Sequence, residues 1–145
     1  MKFVKIGKKD INEICLMGNS VKEFEVDDNV VSFWPEYVLE KIVKSKNAIC
    51  LKCVENDEIL GFIIVAYLKD FSKATIENIF VKEEYRKQGI GRKLVLEVVN
   101  ILKKKNCAYL DAFTKEKIEE FLFWGFSKGN EFSWMSLCLD ESFKK

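Results

Sequence analysis

Six consecutive residues, Arg86-Lys87-Gln88-Gly89-Ile90-Gly91, carry the chemistry that residue type and spacing assign most directly. Two glycines let a backbone curl without side-chain clash, so consecutive N–H groups can turn into one concavity. A helix starting directly afterwards would add its positive N-terminal end. Arg86, Lys87, Arg92 and Lys93 would add charge at the rim. Such a cradle suits the oxygens of a pyrophosphate. The lysine-serine or lysine-threonine ending of a P-loop is missing, and so is the complete Rossmann G-x-G-x-x-G.

Other chemistry is bounded by what the chain lacks. It contains no histidine, which removes Ser-His-Asp and Cys-His nucleophiles and every zinc site that needs imidazole. Catalysis must rest on carboxylates, backbone amides, hydroxyls, thiols or a cofactor. Cys50-Leu51-Lys52-Cys53 has the spacing of a metal or redox knuckle. No second pair follows, and positions three apart on a strand point to opposite faces, so packing is the expectation and no metal site is assigned. Five cysteines are an odd count for a disulfide framework, which points to reduced thiols in a cytoplasm. The 24 basic and 23 acidic residues leave a formal charge of +1, with no broad positive field for nucleic acid. No apolar run approaches the length of a membrane span, and Met1 to Asp10 lacks the apolar stretch of a signal peptide. The expected partners therefore include neither nucleic acid nor membrane, and the expected location is cytoplasmic.

The elements that must position the glycine-rich loop follow from periodicity. Phe3, Val4 and Ile6 open a strand, and Asp10 is placed to N-cap a helix turning Ile11, Ile14, Cys15 and Val21 inward. An acidic stretch, Glu23 to Asp28, precedes a second helix after Pro35, with Tyr37, Val38, Ile42 and Val43 at helical spacing. Ala48 to Val54, Ile59 to Leu68 and Thr75 to Val81 read as an antiparallel meander joined by polar turns. A helix from the glycines to about Lys105 turns Leu94, Val95, Val98, Ile101 and Leu102 inward, and Lys103 to Lys105 meet the negative end of its dipole. Cys107 to Phe113 then forms a strand, and Lys115 to Trp124 a short helix ended by Gly125. Phe132 to Leu139 reads as a closing strand. The unit from Thr75 to Phe113 requires one parallel pairing in a largely antiparallel sheet. Residues 1–145 read as one domain, of α+β class.

Ile76-Glu77-Asn78-Ile79-Phe80-Val81 followed by Glu84-Tyr85-Arg86-Lys87-Gln88-Gly89-Ile90-Gly91 resembles the acetyl-CoA-binding core of the GNAT superfamily of N-acetyltransferases. The resemblance is specific over residues 75 to 93, and the order of elements matches over the whole chain. It implies a mixed, mostly antiparallel sheet, flanked by helices and splayed at a cofactor cleft, with acetyl-CoA as cosubstrate and no metal. Ile79, Phe80 and Val81 would lie where the strand pairs with the pantetheine arm. Main-chain amides of Lys87, Gln88, Gly89, Gly91 and Arg92, within the span Arg86 to Arg92 that includes Ile90, would hold the pyrophosphate. An amide near Val81 would polarise the thioester carbonyl.

The same resemblance singles out Glu77. Polyamine and related small-amine acetyltransferases of the superfamily place a glutamate at the matching position. An amine arrives mostly as ammonium, with a pKa of about 10, and must lose a proton before it attacks. Glu77 is either that base or an exposed carboxylate that keeps a strand soluble. The family's usual tyrosine, four residues before the final Gly-Phe, is here Phe121, and Thr114 stands where an asparagine often meets the cofactor. Tyr85 or Tyr109 could replace the missing acid, and nothing in the sequence selects either. The expected acceptor is a small primary amine; a protein N-terminus or lysine, or an acyl-CoA-binding module without turnover, are the rival readings. Phe33, Trp34 and Tyr37, beside the acidic stretch, could line an amine pocket or simply lead into a core helix. Phe121, Phe123, Trp124 and Phe126 read as core, with an exposed part that could serve a homodimer.

Overall fold

The longest apolar run, Ile59 to Leu68, is too continuous for a strand with one wet face, and the computed structural model buries both of its faces. Described in it are residues 1–21, 33–114, 116–131, 133, 135, 137 and 139. Five strands lie in the order β1 (Lys2–Lys5), β2 (Ala48–Glu55), β3 (Glu58–Leu68), β4 (Lys73–Val81) and β5 (Tyr109–Ala112). Neighbours are antiparallel except β4 and β5, which are parallel. The β2–β3 hairpin closes through Asn56 and Asp57, both with positive φ (51° and 63°), the conformation that matches strand twist in a two-residue turn.

Helices cover both faces. On one, Leu60, Ile63, Val65 and Tyr67 of β3 pack with Leu94, Val95, Val98 and Leu102 of α3 (Ile90–Lys104). On the other, Ile59, Phe62 and Ile64 pack with Ile14 of α1 (Ile11–Asn19) and Leu39 of α2 (Glu36–Lys44). Cys50 and Cys53 enter opposite cores, as their spacing requires, and the four described cysteines are free thiols. The assignment of side chains to faces changes parity twice. Cys53 pairs with Gly61 and Val54 with Ile59, leaving Leu60 without a partner on β2. Ile64 pairs with Asn78 and Val65 with Ile76, leaving Glu77 without a partner on β3. Each extra residue is a β-bulge, which bends the strand and re-aims the side chains beyond it.

Three expectations change. Asp10 precedes α1, but its carboxylate does not cap the helix. Its Oδ1 instead pairs with Lys52 Nζ at 2.6 Å and its Oδ2 accepts the Gly7 N–H at 2.7 Å. A buried ammonium on β2 needs a counter-ion more than a helix end needs one acceptor. In α2 the fully buried residue is Leu39, whereas Tyr37 is 68% exposed. The strand after α3 and the helix after it are shorter than expected, β5 stopping at Ala112 and α4 spanning Ile118–Phe123. Gly125 does end α4: its φ is 98°, and Phe126 N–H reaches back to the Phe121 carbonyl at 3.0 Å. The acidic stretch Glu23 to Asp28 and alternate residues of the expected closing strand, Phe132, Trp134, Ser136 and Cys138, lie outside the described residues. No helix among the described residues is long and apolar enough to cross a membrane.

Candidate active site

Strand β5 ends at Ala112, opposite Ile76, while β4 continues to Val81. Beyond Ile76 the inner edge of β4 stays paired to β3, and among the described residues no strand pairs with its outer edge. Apart from the Val81 carbonyl, which accepts from Arg86 Nε, backbone groups there are open to an extended ligand, since a strand edge is a row of unpaired donors and acceptors. The expected splay is present. Ile79 and Val81 pack toward the α3 core and Phe80 toward the α1–α2 core, where its ring lies 5.8 Å from that of Phe62. Gly61 makes this arrangement possible. A Cβ on Gly61 would sit 2.5 Å from the Phe80 carbonyl oxygen and 3.2 Å from Val81 Cα.

The bulge sets Glu77 beside Asn78. Glu77 is exposed, and partial loss of hydration holds its carboxyl above the ordinary carboxylate range. Asn78 is buried, and its Oδ1 accepts the indole N–H of Trp34 at 2.8 Å. Trp34 thereby ties the connection entering α2 to the bulged strand. Phe33 is buried in the core against Phe62, on a notch in α1 where any side chain at Gly18 would collide with its ring. Tyr37 faces away into a shallow groove of about 450 Å³ lined with Lys8, Asn12, Glu36 and Glu40. The three aromatics therefore do not share one pocket: Trp34 is hydrogen-bonded to β4, and Tyr37 lines the outer groove. That groove contains no residue of β4 or of the glycine-rich loop.

The loop begins as a tight turn at Glu83–Tyr85. Lys87 and Gly89 are both left-handed, with φ of 61° and 81°. Gly89 is the N-cap of α3 and no side chain caps the helix, so its first-turn N–H groups remain available to an anion. A left-handed lysine is strained, and strain of this kind clusters at ligand clamps. Arg86, Lys87, Arg92 and Lys93 are exposed around this end, while the Ile90 side chain is buried, leaving that residue only its main chain to offer. The second glycine has a different duty from the one assigned by sequence. Gly91 is helical, and a Cβ there would lie 3.0 Å from Trp124 Cη2, so it admits an aromatic ring and does not bend the loop. Arg86 folds back, its Nε donating to the Val81 carbonyl at 2.9 Å with the guanidinium 5.9 Å above the Phe80 ring.

Phe121 is buried, its ring edge-on to Trp124 and Phe126 at 5.2 and 5.1 Å. Thr114 Oγ1 accepts the Lys117 N–H at 3.0 Å, just before α4. Of the two hydroxyls available as an acid, Tyr85 donates to Glu58 Oε2 at 3.0 Å, and that hydrogen bond raises its pKa. Tyr109 is exposed on β5. Burial pushes the Cys50 thiol up to about 11 and also raises Cys15 and Cys53, so these thiols are poor nucleophiles. Sequence reasoning missed Glu58, Gly61, Asn78 and Gly18. Lone glycines inside a strand and a helix signal close approach, and the apolar residues 74, 76, 79 and 81 shift parity at the bulge. Glu58 gave no such signal.

The model of the acetyltransferase (GNAT) family matches residues 19–135. Among solved structures, an aminoglycoside acetyltransferase from an uncultured soil metagenomic sample, in complex with sisomicin, superposes with a TM-score of 0.73 at 15% identity, over 96% of both chains. The ribosomal-protein-S18-alanine N-acetyltransferase of Escherichia coli gives 0.70 at 18% identity, over 89% of this chain and 79% of that one. A transcriptional regulator from Bacillus halodurans C-125 gives 0.69 at 21% identity, over 94% and 99%. At these identities the structures share the fold, and the two named as acetyltransferases differ in acceptor, an aminoglycoside in one and a ribosomal protein in the other. With the greater part of its length matched and the splayed strand and uncapped helix in place, the chain belongs to the GNAT family of acetyltransferases.

Proposed function

We propose that the protein transfers an acetyl group from acetyl-CoA to a primary amine on a small molecule, by direct attack. The observation that carries this reading is the outer edge of β4 past Ile76, unpaired among the described residues, running into an uncapped α3 N-terminus across the left-handed Lys87 and Gly89. Residues Ile79 to Val81 pair with the pantetheine arm, and the amides from Lys87 to Arg92 hold the diphosphate, aided by the helix dipole. The main chain near Val81 polarises the thioester carbonyl. The residues fit direct attack on the thioester better than an acyl-enzyme, because the buried thiols Cys50 and Cys53 are held protonated.

Glu77 accepts the proton of the incoming ammonium, directly or through water. Its raised pKa brings the carboxylate closer to the working pH, which improves a base so long as it stays ionised. The amine nitrogen bonds to the carbonyl carbon, the C–S bond breaks with its electron pair leaving on sulfur, and the second proton of the nitrogen passes to that sulfur or to solvent. A thiol pKa of about 8.5 makes the thiolate a tolerable leaving group, so the reaction proceeds without a hydroxyl at position 121. CoA release is measured across polyamines, amino acids, aminoglycosides and short peptides, beside Glu77→Gln. Turnover with one small-amine class, cut sharply in the variant with acetyl-CoA binding retained, supports the proposal. Turnover only with peptides moves the acceptor to protein, and binding without any turnover favours an acyl-CoA-binding module.

A further inference from the structure

Glu58 opens β3, immediately after the Asn56–Asp57 turn, and stands far in sequence from the glycine-rich loop. Both of its carboxylate oxygens are nevertheless spent on the segment that delivers that loop. Lys82 Nζ donates to Oε1 at 2.8 Å, and the Tyr85 hydroxyl donates to Oε2 at 3.0 Å. Lys82 is the first residue after β4, and Tyr85 ends the turn one residue before Arg86. The backbone repeats the connection: Lys82 N–H meets the Leu60 carbonyl at 2.9 Å, and Tyr85 N–H meets the Lys82 carbonyl at 2.9 Å. The Tyr85 ring also packs on the α3-side core. The turn is thus gripped at both ends by one carboxylate mounted on a hairpin, and the strained Lys87 follows two residues later.

We infer that Glu58 is a positioning residue for the donor's diphosphate, holding the Lys82–Tyr85 turn so that the amides of Lys87 to Arg92 converge. The inference rests on the reading of that loop as the acetyl-CoA site. Glu58 touches no reacting atom. Its negative charge near a diphosphate would, acting alone, weaken anion binding. Its removal therefore separates two roles by sign: a positioning carboxylate lost makes donor binding weaker, and a mere nearby charge lost makes it tighter.

The test compares Glu58→Ala and Tyr85→Phe with wild type by NMR titration of acetyl-CoA and of S-acetylpantetheine, an acetyl donor that lacks the diphosphate. Acetyl-CoA affinity should fall about threefold in Glu58→Ala, in keeping with a half-exposed ion pair and hydrogen bond. Tyr85→Phe should shift it in the same direction and by less. S-acetylpantetheine affinity should not change in either variant, a split that general loss of structure would not produce. Unchanged or tighter acetyl-CoA binding, or equal weakening of both ligands, overturns the positioning role. Wild-type protein that binds no acetyl-CoA overturns the reading of the loop, and the inference with it.

Discussion

Replacing Gly61 by alanine tests the geometry of the splayed strand with one methyl group. The added Cβ would lie 2.5 Å from the Phe80 carbonyl oxygen and 3.2 Å from Val81 Cα. Both are backbone atoms of a paired strand, so neither can swing aside as a flexible side chain would. Overpacking of this kind costs about 3 kcal/mol. Alanine also restricts the unfolded chain, which returns about 1 kcal/mol. The net of about 2 kcal/mol, for a domain of 145 residues, lowers Tm by about 6 °C. Thermal unfolding followed by circular dichroism reads this directly. Gly129→Ala is the control, because a Cβ there meets nothing within 4 Å, and it should leave Tm within about 2 °C of wild type, as open surface substitutions do. The atoms displaced in Gly61→Ala are those proposed to flank the thioester, so the folded variant, assayed well below its Tm, should also bind acetyl-CoA more weakly. A Gly61→Ala protein as stable as wild type would refute the close approach of β3 and β4 and the role given to this glycine.

Three further expectations rest on individual contacts. Because Glu77 is raised, kcat/KM should fall as pH drops through a value above the ordinary carboxylate range, and Glu77→Gln should abolish that acid limb. A raised acid binds its proton more tightly in the folded state, so Glu77 weakens stability as pH rises, and Glu77→Gln should melt higher than wild type at neutral pH and converge with it in acid. Lys52→Met leaves Asp10 buried without its partner at 2.6 Å and should cost about 3–5 kcal/mol, read as a lower denaturant midpoint; an unchanged midpoint would mean the pair is not buried. Trp34→Phe removes the donor to buried Asn78 and should cost about 1–3 kcal/mol. It should also raise KM for the amine while acetyl-CoA affinity holds, whereas equal loss of both would count against Trp34 bordering the acceptor side.

The features legible in the sequence were those that local periodicity encodes. Leu94, Val95, Val98 and Leu102 recur at helical spacing and are all buried on the sheet. The strand–loop–helix around Gly89 could be read because its punctuation is glycine, whose freedom is visible in a letter. Tyr37 misled because helical spacing marks a stripe without telling which flank of it faces the core, and Leu39 took the buried place. Asp10 misled because a helix start is a local feature, whereas its partner Lys52 comes from a distant strand. Glu58 was invisible for the same reason: its partners lie 24 and 27 residues away. The two G-x-G glycines looked equivalent and are not, since only the structure sets Trp124 against Gly91. Function-bearing geometry here depends on long-range register, the bulge at Glu77 above all, and register is a property of paired strands and not of one.

The central claim is that one ligand runs along the outer edge of β4 and ends on the start of α3. Hydrogen–deuterium exchange with and without saturating acetyl-CoA tests it most directly, because it reads backbone amides in both places at once. Slowed exchange at Ile79–Val81 together with Lys87–Arg92, and little change in α2 or β1, is the result the account requires. Binding that leaves those two segments unprotected, or protects some other part of the sheet instead, would contradict it.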